Sequence, residues 1–223
     1  MFSVLQKCKD PQLLVLTPLL PNHKISKETK THLKRNDIEF DWVSYASHNN
    51  IPTNASLALE NYKKKFPNQK INYIIMIDRD IIPSRNMLYN MYNTLSKSKK
   101  DVAYCYCNFE FRGKVNRAFK HIEFNAINLL RSNYISSNSM IKLDKLEEIG
   151  GFVIDPDLKR LLDWALWLKF LNAGYSGILC NSVSFIAESK TGDVSTGSDH
   201  EYWTKYKLVK ERFIDPMLEG LII

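Results

Sequence analysis

Two carboxylates spaced i, i+2, Asp78 and Asp80, close the apolar run Tyr73-Ile74-Ile75-Met76-Ile77. Paired hard oxygen ligands suit a divalent cation, Mn²⁺ or Mg²⁺, carrying a diphosphate. An uninterrupted apolar run of this length predicts a strand buried on both faces. Ligands of open α/β sheets bind outside the carboxyl ends of such strands, where both aspartates would then stand. A plain strand running into a solvated acidic turn would carry the same residues, because Asp is common in turns. A third carboxylate, Asp163, opens a strongly apolar segment. A helix starting there would take Asp as its cap, and its dipole would favour the charged form.

The elements that must position these groups follow from periodicity and punctuation. Leu13 to Thr17 predicts a first buried strand closed by Pro18, and Phe40 to Tyr45 a second. Between them, Ser26 to Arg35 predicts a helix with Lys27, Lys30 and Lys34 on one face. Asn54 to Phe66 predicts a helix with Ala55, Leu59, Tyr62 and Phe66 on one stripe, stopped by Pro67-Asn68. After the aspartates, Ser84 is expected to cap a helix from Arg85 to Ser96. This β-α-β-α-β order predicts a largely parallel sheet covered by helices.

In the second half, Asp101 to Phe111 and Tyr134 to Ile141 read as strands, with Arg112-Gly113 as a turn. A short helix after the second of these ends at Gly150-Gly151. Asp163 to Ala173 reads as a helix stopped by Gly174, and Gly177 to Ala187 as a strand. A polar loop, Glu188 to Ser198, precedes a last amphipathic helix carrying Tyr202, Trp203, Tyr206 and Val209. With no internal repeat or long linker, residues 1–223 are expected to form one domain. Residues 1–100 would be its nucleotide-binding half and 101–223 its acceptor-facing half.

At 44% hydrophobic and 25% charged, the chain has an ordinary globular composition. No segment approaches the ~20 apolar residues that span a bilayer, and no secretory leader is visible at Met1 to Cys8. Cys8, Cys105, Cys107 and Cys180 show no zinc-like spacing. Reduced thiols and a cytoplasmic location are therefore expected. The net charge of +7, from 31 basic and 24 acidic residues, favours anionic partners without choosing among them.

Several ordered segments carry a resemblance. They are Ile77-Asp78-Arg79-Asp80; Ser136-Ser137-Asn138-Ser139-Met140-Ile141 with Leu146-Glu147-Glu148-Ile149-Gly150-Gly151-Phe152; and Leu162-Asp163-Trp164-Ala165-Leu166-Trp167-Leu168 with Ala173-Gly174-Tyr175. In order and spacing, residues 13–180 resemble glycosyltransferase family 2, the inverting enzymes of the GT-A fold. That resemblance implies a three-layer αβα sandwich with a mostly parallel central sheet. It also implies metal-dependent transfer from a nucleotide sugar, first of all a UDP-sugar. The chain departs from the family pattern where Leu162 replaces a Glu and Ala165 an Asp, and where Ser44 to Asn49 lacks an acidic pair.

By the resemblance, Asp80 would ligate Mn²⁺ or Mg²⁺, and Asp78 would hold the ribose or a water on the metal. His200 is the expected late metal ligand, and Asp163 would be the general base. Thr17 and Pro18 would border the nucleotide, Tyr45 would stack on the base, and Ser47 would contact the ribose. Asn54 would open the helix beside the donor. Trp164 and Ser137 are expected on the acceptor side, Trp164 as a sugar platform. The acceptor would be a carbohydrate. One alternative is a hydroxymethylated base in DNA, as in some viral glycosyltransferases. Another is a nucleotide-binding protein without catalysis.

Overall fold

The computed structural model describes residues 1–114, 116–120, 122–158, 161–189 and 199–216, with only the backbone of residues 189, 199 and 200. The elements of the first half are β1 (Phe2–Gln6), β2 (Leu13–Leu19), α1 (Lys27–Leu33), β3 (Phe40–Ala46), α2 (Ile51–Lys65), β4 (Tyr73–Met76), β5 (Ile81–Pro83) and α3 (Met87–Ser96). The second half adds β6 (Val102–Gly113), β7 (Arg117–Phe119), α4 (Ala126–Arg131), β8 (Met140–Lys142), α5 (Leu143–Glu148), α6 (Leu162–Asn172), β9 (Ser176–Ser189) and α7 (Asp199–Phe213).

Among the described residues the strands join in one sheet of order β1-β3-β2-β4-β8-β6-β9-β5, with β7 paired to β6. β2 lies at the centre of the first half, parallel to both β3 and β4. All seven of its residues are buried, as an apolar run covered on both faces requires. β8 is antiparallel to both β4 and β6, so β4 and β6 point the same way, and β9 runs parallel to β6. The expected parallel character therefore holds for β3, β2, β4, β6 and β9, while β1, β5, β7 and β8 run against them.

Strand alternation sorts the core into two layers. Leu14, Leu16, Ile74 and Met76 face Ala55, Ala58, Leu59 and Tyr62 of α2 and the large side chains of α6. Their neighbours Leu13, Val15, Ile75 and Ile77 face Leu33 of α1 and Met87, Leu88, Met91 and Leu95 of α3. Helices thus cover both faces, and the αβα sandwich is the observed architecture. Cys105 and Cys107 share the second of these faces with Cys180, all three as buried free thiols.

Several sequence expectations change, beginning with Arg112-Gly113, expected as a turn and found inside β6. Ser84 does not cap α3. Its N–H donates to the Ser184 carbonyl and its hydroxyl accepts from the Ser184 N–H, stitching the end of β5 to β9. The cap position belongs to Asn86, in the left-handed region at φ 57°. Asn is one of the few residues with a side chain that tolerates that region. Helix α2 starts three residues before Asn54, because the Asn50 side chain accepts from the Thr53 N–H and Pro52 fits the first turn. Of Tyr134 to Ile141 only Met140 and Ile141 enter a strand, β8. Side chains occupy the hydrogen-bonding groups of the stretch before it, as the site shows.

Candidate active site

Asp78 and Asp80 follow β4 at its carboxyl end, beside the ends of β2 and β3. The turn is held from both sides. The Ile81 N–H donates to the Asp78 carbonyl, and the Glu188 N–H to the Asp80 carbonyl. The carbonyl of Arg79 between them accepts from the Ser26 N–H at 2.8 Å and the Thr29 hydroxyl at 3.0 Å, which anchors the turn to the first residues of α1.

Asn138, 4% exposed, brackets Asp78 from the other side. The Asp78 N–H donates to Asn138 Oδ1 at 3.1 Å, and Asn138 Nδ2 donates to Asp78 Oδ2 at 3.2 Å. The hydroxyls of Ser136 and Ser137 lie 3.4 Å from the same Nδ2, so Ser137 stands against this bracket. Burial pushes the Asp78 carboxyl up to about 6, and the neighbouring Asp80 charge pushes the same way. The Asn138 hydrogen bond opposes this, the Asp163 charge adds to it, and Arg79 opposes it. Asp80 has the Arg79 guanidinium 3.9 Å away. The Asp163 charge thus reaches Asp78, although Asp163 comes from the other half of the chain.

Asp163 is the second residue of α6, not its cap. The cap position is Leu161, at φ 63° and with no capping side-chain bond. A non-glycine residue in the left-handed region stores backbone strain, and such residues cluster at functional sites. Asp163 Oδ1 accepts from the Trp164 N–H at 2.9 Å. Burial holds this carboxyl above the usual carboxylate range, while the Trp164 N–H and the Asn133 side chain pull it back. Asn133 and Asn138 were not singled out in the sequence. Asn138 stood only as one residue of the segment from Ser136 to Ile141, and Asn133 only in a Ser/Asn-rich stretch that strand periodicity masked.

The expected donor contacts divide. Thr17 is fully buried, and its hydroxyl accepts from Trp42 Nε1 at 2.9 Å, tying β2 to β3. Asn54 is also fully buried, with Nδ2 donating to the carbonyls of Leu19 at 2.7 Å and Ser47 at 3.2 Å. The Ser47 hydroxyl donates to Asn54 Oδ1. Thr17 and Asn54 thus fasten the strand ends. Pro18 is buried in register with Tyr45, while Tyr45 and Ser47 remain half-buried at the edge.

Trp164 lies in the core. It is fully buried, with Nε1 donating to the Leu129 carbonyl at 2.7 Å and its ring stacked on Tyr206 at 5.0 Å. No face is left for a sugar. The His200 side chain, residues 190–198 of the polar loop and the apolar end from Leu218 to Ile223 lie outside the described residues. Among the described residues, no three His, Cys, Asp or Glu side chains form a ready-made metal cage.

No protein-family model matches the sequence, and comparison with characterised proteins by sequence finds no match. Solved structures do match. S. aureus TarS aligns with a TM-score of 0.54 at 12% identity, over 89% of this chain and 39% of TarS. TarS 1–349 in complex with UDP-GlcNAc gives 0.54 at 13%, over 89% of this chain and 65% of that one. The mannosyltransferase PcManGT from Pyrobaculum calidifontis, in complex with GDP-Man and Mn²⁺, gives 0.56 at 16% identity, over 96% and 68%. This is a glycosyltransferase fold. The chain spans well under half of full-length TarS and about two thirds of TarS 1–349.

Proposed function

We propose that this chain is a metal-dependent glycosyltransferase that moves a sugar from a nucleotide sugar, a UDP-sugar in the first instance, to a carbohydrate hydroxyl with inversion. One observation carries the reading: Asp78 and Asp80 stand on an anchored turn after the carboxyl end of β4, within reach of the Asp163 charge. The structural neighbours solved with UDP-GlcNAc and GDP-Man support the donor class.

The donor set fits a divalent cation. Asp78 and Asp80 are hard ligands, and a bound cation would offset the burial and the Asp80 charge that push the Asp78 carboxyl up. Asp80 would hold the cation with Asp78 beside it; once bound it would supply Lewis-acid stabilisation of the departing diphosphate. The chain's own residues do the rest. Asn138 holds the Asp78 carboxylate in place. The fastened ends of β2 and β3 shape the nucleotide edge, with Tyr45 and Ser47 facing it. Asp163 takes the proton from the acceptor hydroxyl. The acceptor oxygen then forms its bond to the anomeric carbon from the face opposite the diphosphate. The old carbon–oxygen bond breaks, and its electron pair leaves with the diphosphate.

A thermal-shift screen of UDP-, GDP- and dTDP-sugars with and without Mn²⁺ tests this, followed by mass analysis of products on oligosaccharides and on hydroxymethylated DNA. Stabilisation by a nucleotide sugar only with the cation, and a hexose added to an oligosaccharide, is the expected result. Glycosylated DNA with untouched oligosaccharides would overturn the acceptor. No shift with any donor would overturn the enzyme.

A further inference from the structure

With Trp164 sealed in the core, another aromatic would have to carry the acceptor's sugar ring. The fold supplies one elsewhere. α6 and α7 lie side by side and run the same way. Trp164, the third residue of α6, stacks on Tyr206, in the middle of α7, and Asn172 Nδ2 donates to the Phe213 carbonyl at 2.9 Å. That second contact lies about 12 Å further along α6 and about 10 Å further along α7, at 1.5 Å per residue. The amino-terminal end of α6 therefore lies beside α7 at the level of Tyr206. Asp163 stands on α6 and Trp203, one turn before Tyr206, on α7.

A second link fixes the same neighbourhood. The Tyr206 hydroxyl donates to the Arg131 carbonyl at 2.8 Å, and two residues on, the Asn133 side chain bonds Asp163. Trp203 is 57% exposed, whereas Trp42, Trp164 and Trp167 are at most 3% exposed. Its ring is not loose. Tyr202 packs against it edge-on with centroids 5.4 Å apart, and Tyr206 at 5.4 Å and 71°. A single braced indole amid Glu201, Thr204, Lys205 and Lys207 is by itself too small an apolar surface for a stable protein interface. It matches a pyranose ring, whose C–H face is drawn to the negative face of an aromatic while its hydroxyls meet polar neighbours.

We propose that Trp203, braced by Tyr202 and Tyr206, is the platform on which the acceptor's sugar ring stacks before Asp163. The proposal rests on the reading of Asp163 as the acceptor's base. As the one exposed indole, Trp203 dominates the fluorescence that acrylamide can quench. Titration of the whole chain with a panel of gluco-, manno- and galacto-oligosaccharides should protect that fluorescence and shift it to the blue, while UDP-GlcNAc or GDP-Man alone should not. Trp203→Ala should remove the protection and raise the acceptor KM roughly ten-fold, about 1.4 kcal/mol, with donor affinity and kcat little changed. Trp203→Phe should recover most of the affinity.

Failure of every oligosaccharide to protect Trp203 would overturn the platform. So would shielding that depends only on protein concentration, which would make the indole a contact between copies. A chain that binds Mn²⁺ and a nucleotide sugar but shows no protection would sink the platform and leave the proposed function standing. A chain protected by oligosaccharides that binds no donor would do the reverse.

Discussion

The two sides of the site are built in opposite ways. On the side of β2, β3 and β4, polar side chains are spent on the protein itself. Thr17 holds Trp42, Asn54 holds Leu19 and Ser47, and Asn138 holds Asp78. What remains open there is a pair of carboxylates on a tightly anchored turn. On the side of α6 and α7, the tryptophans inside the core are closed, and Asp163 on α6 and Trp203 on α7 keep surface to meet a ligand. A fixed edge suits a constant partner such as a nucleotide diphosphate. Side chains on these helices suit a partner that differs from enzyme to enzyme.

The comparison breaks first at Asp163. Asp163→Asn should keep donor binding and lose transfer by roughly 10²–10⁴, the usual weight of a general base. Single-turnover kinetics beside donor titration would show the split, and wild-type turnover would remove Asp163 from the chemistry. Because burial raises this carboxyl, the base is ionised only above the ordinary range. The acid limb of kcat should therefore lie above the usual carboxylate range, and a limb within that range would contradict the burial argument.

Next in size is the bracket on the donor side. Asn138→Ala leaves both the N–H and the carboxylate of Asp78 without their partner. A loss of donor affinity of about ten-fold, with kcat at saturation much less affected, is expected from one charge-assisted hydrogen bond. Equal losses in both would place Asn138 on the acceptor side instead.

Asp78 itself should show function set against stability. Its carboxyl titrates near 6 in the fold against an ordinary 3.8. Between those values the folded state holds more protons than the unfolded one, so stability falls as pH rises, and the full cost is present above pH 6. Asp78→Asn should raise the melting temperature of the metal-free chain at pH 7–8, lose that advantage below pH 4, and weaken Mn²⁺-dependent donor binding. A mutant less stable at pH 8 than the parent would show that the carboxylate is not strained.

Much of this was legible from residue types. The buried runs of β2, β3 and β4 announce themselves because strands covered on both faces have no polar alternation to hide. That placed Asp78 and Asp80 at the sheet's edge. β1, β5 and β7 were missed as short flanking strands whose pairing depends on distant partners, such as Ile82 with Ile186. The stretch before β8 was misread because Ser and Asn there serve side-chain hydrogen bonds that periodicity cannot show. Trp164 and Trp203 have the same chemistry, and only the packing of α7 against α6 tells which one is sealed.

The smallest effect lies in that packing. The Tyr104 hydroxyl is buried without a hydrogen-bond partner, while its ring packs on Trp167 with centroids 4.5 Å apart. Removing an unpaired buried hydroxyl relieves its desolvation, so Tyr104→Phe should stabilise the chain by about 1 kcal/mol in urea melts. Destabilisation would mean that the hydroxyl has a partner.

The central claim is that the carboxylates at the edge of β4 hold an activated sugar through a cation. Isothermal titration of UDP-GlcNAc and GDP-Man into the wild type and Asp80→Asn, each with Mn²⁺ and with chelator, tests it most directly. Binding in the wild type with Mn²⁺, lost both in chelator and in Asp80→Asn, is the predicted result. Equal binding in all four conditions, or none in any, would contradict it.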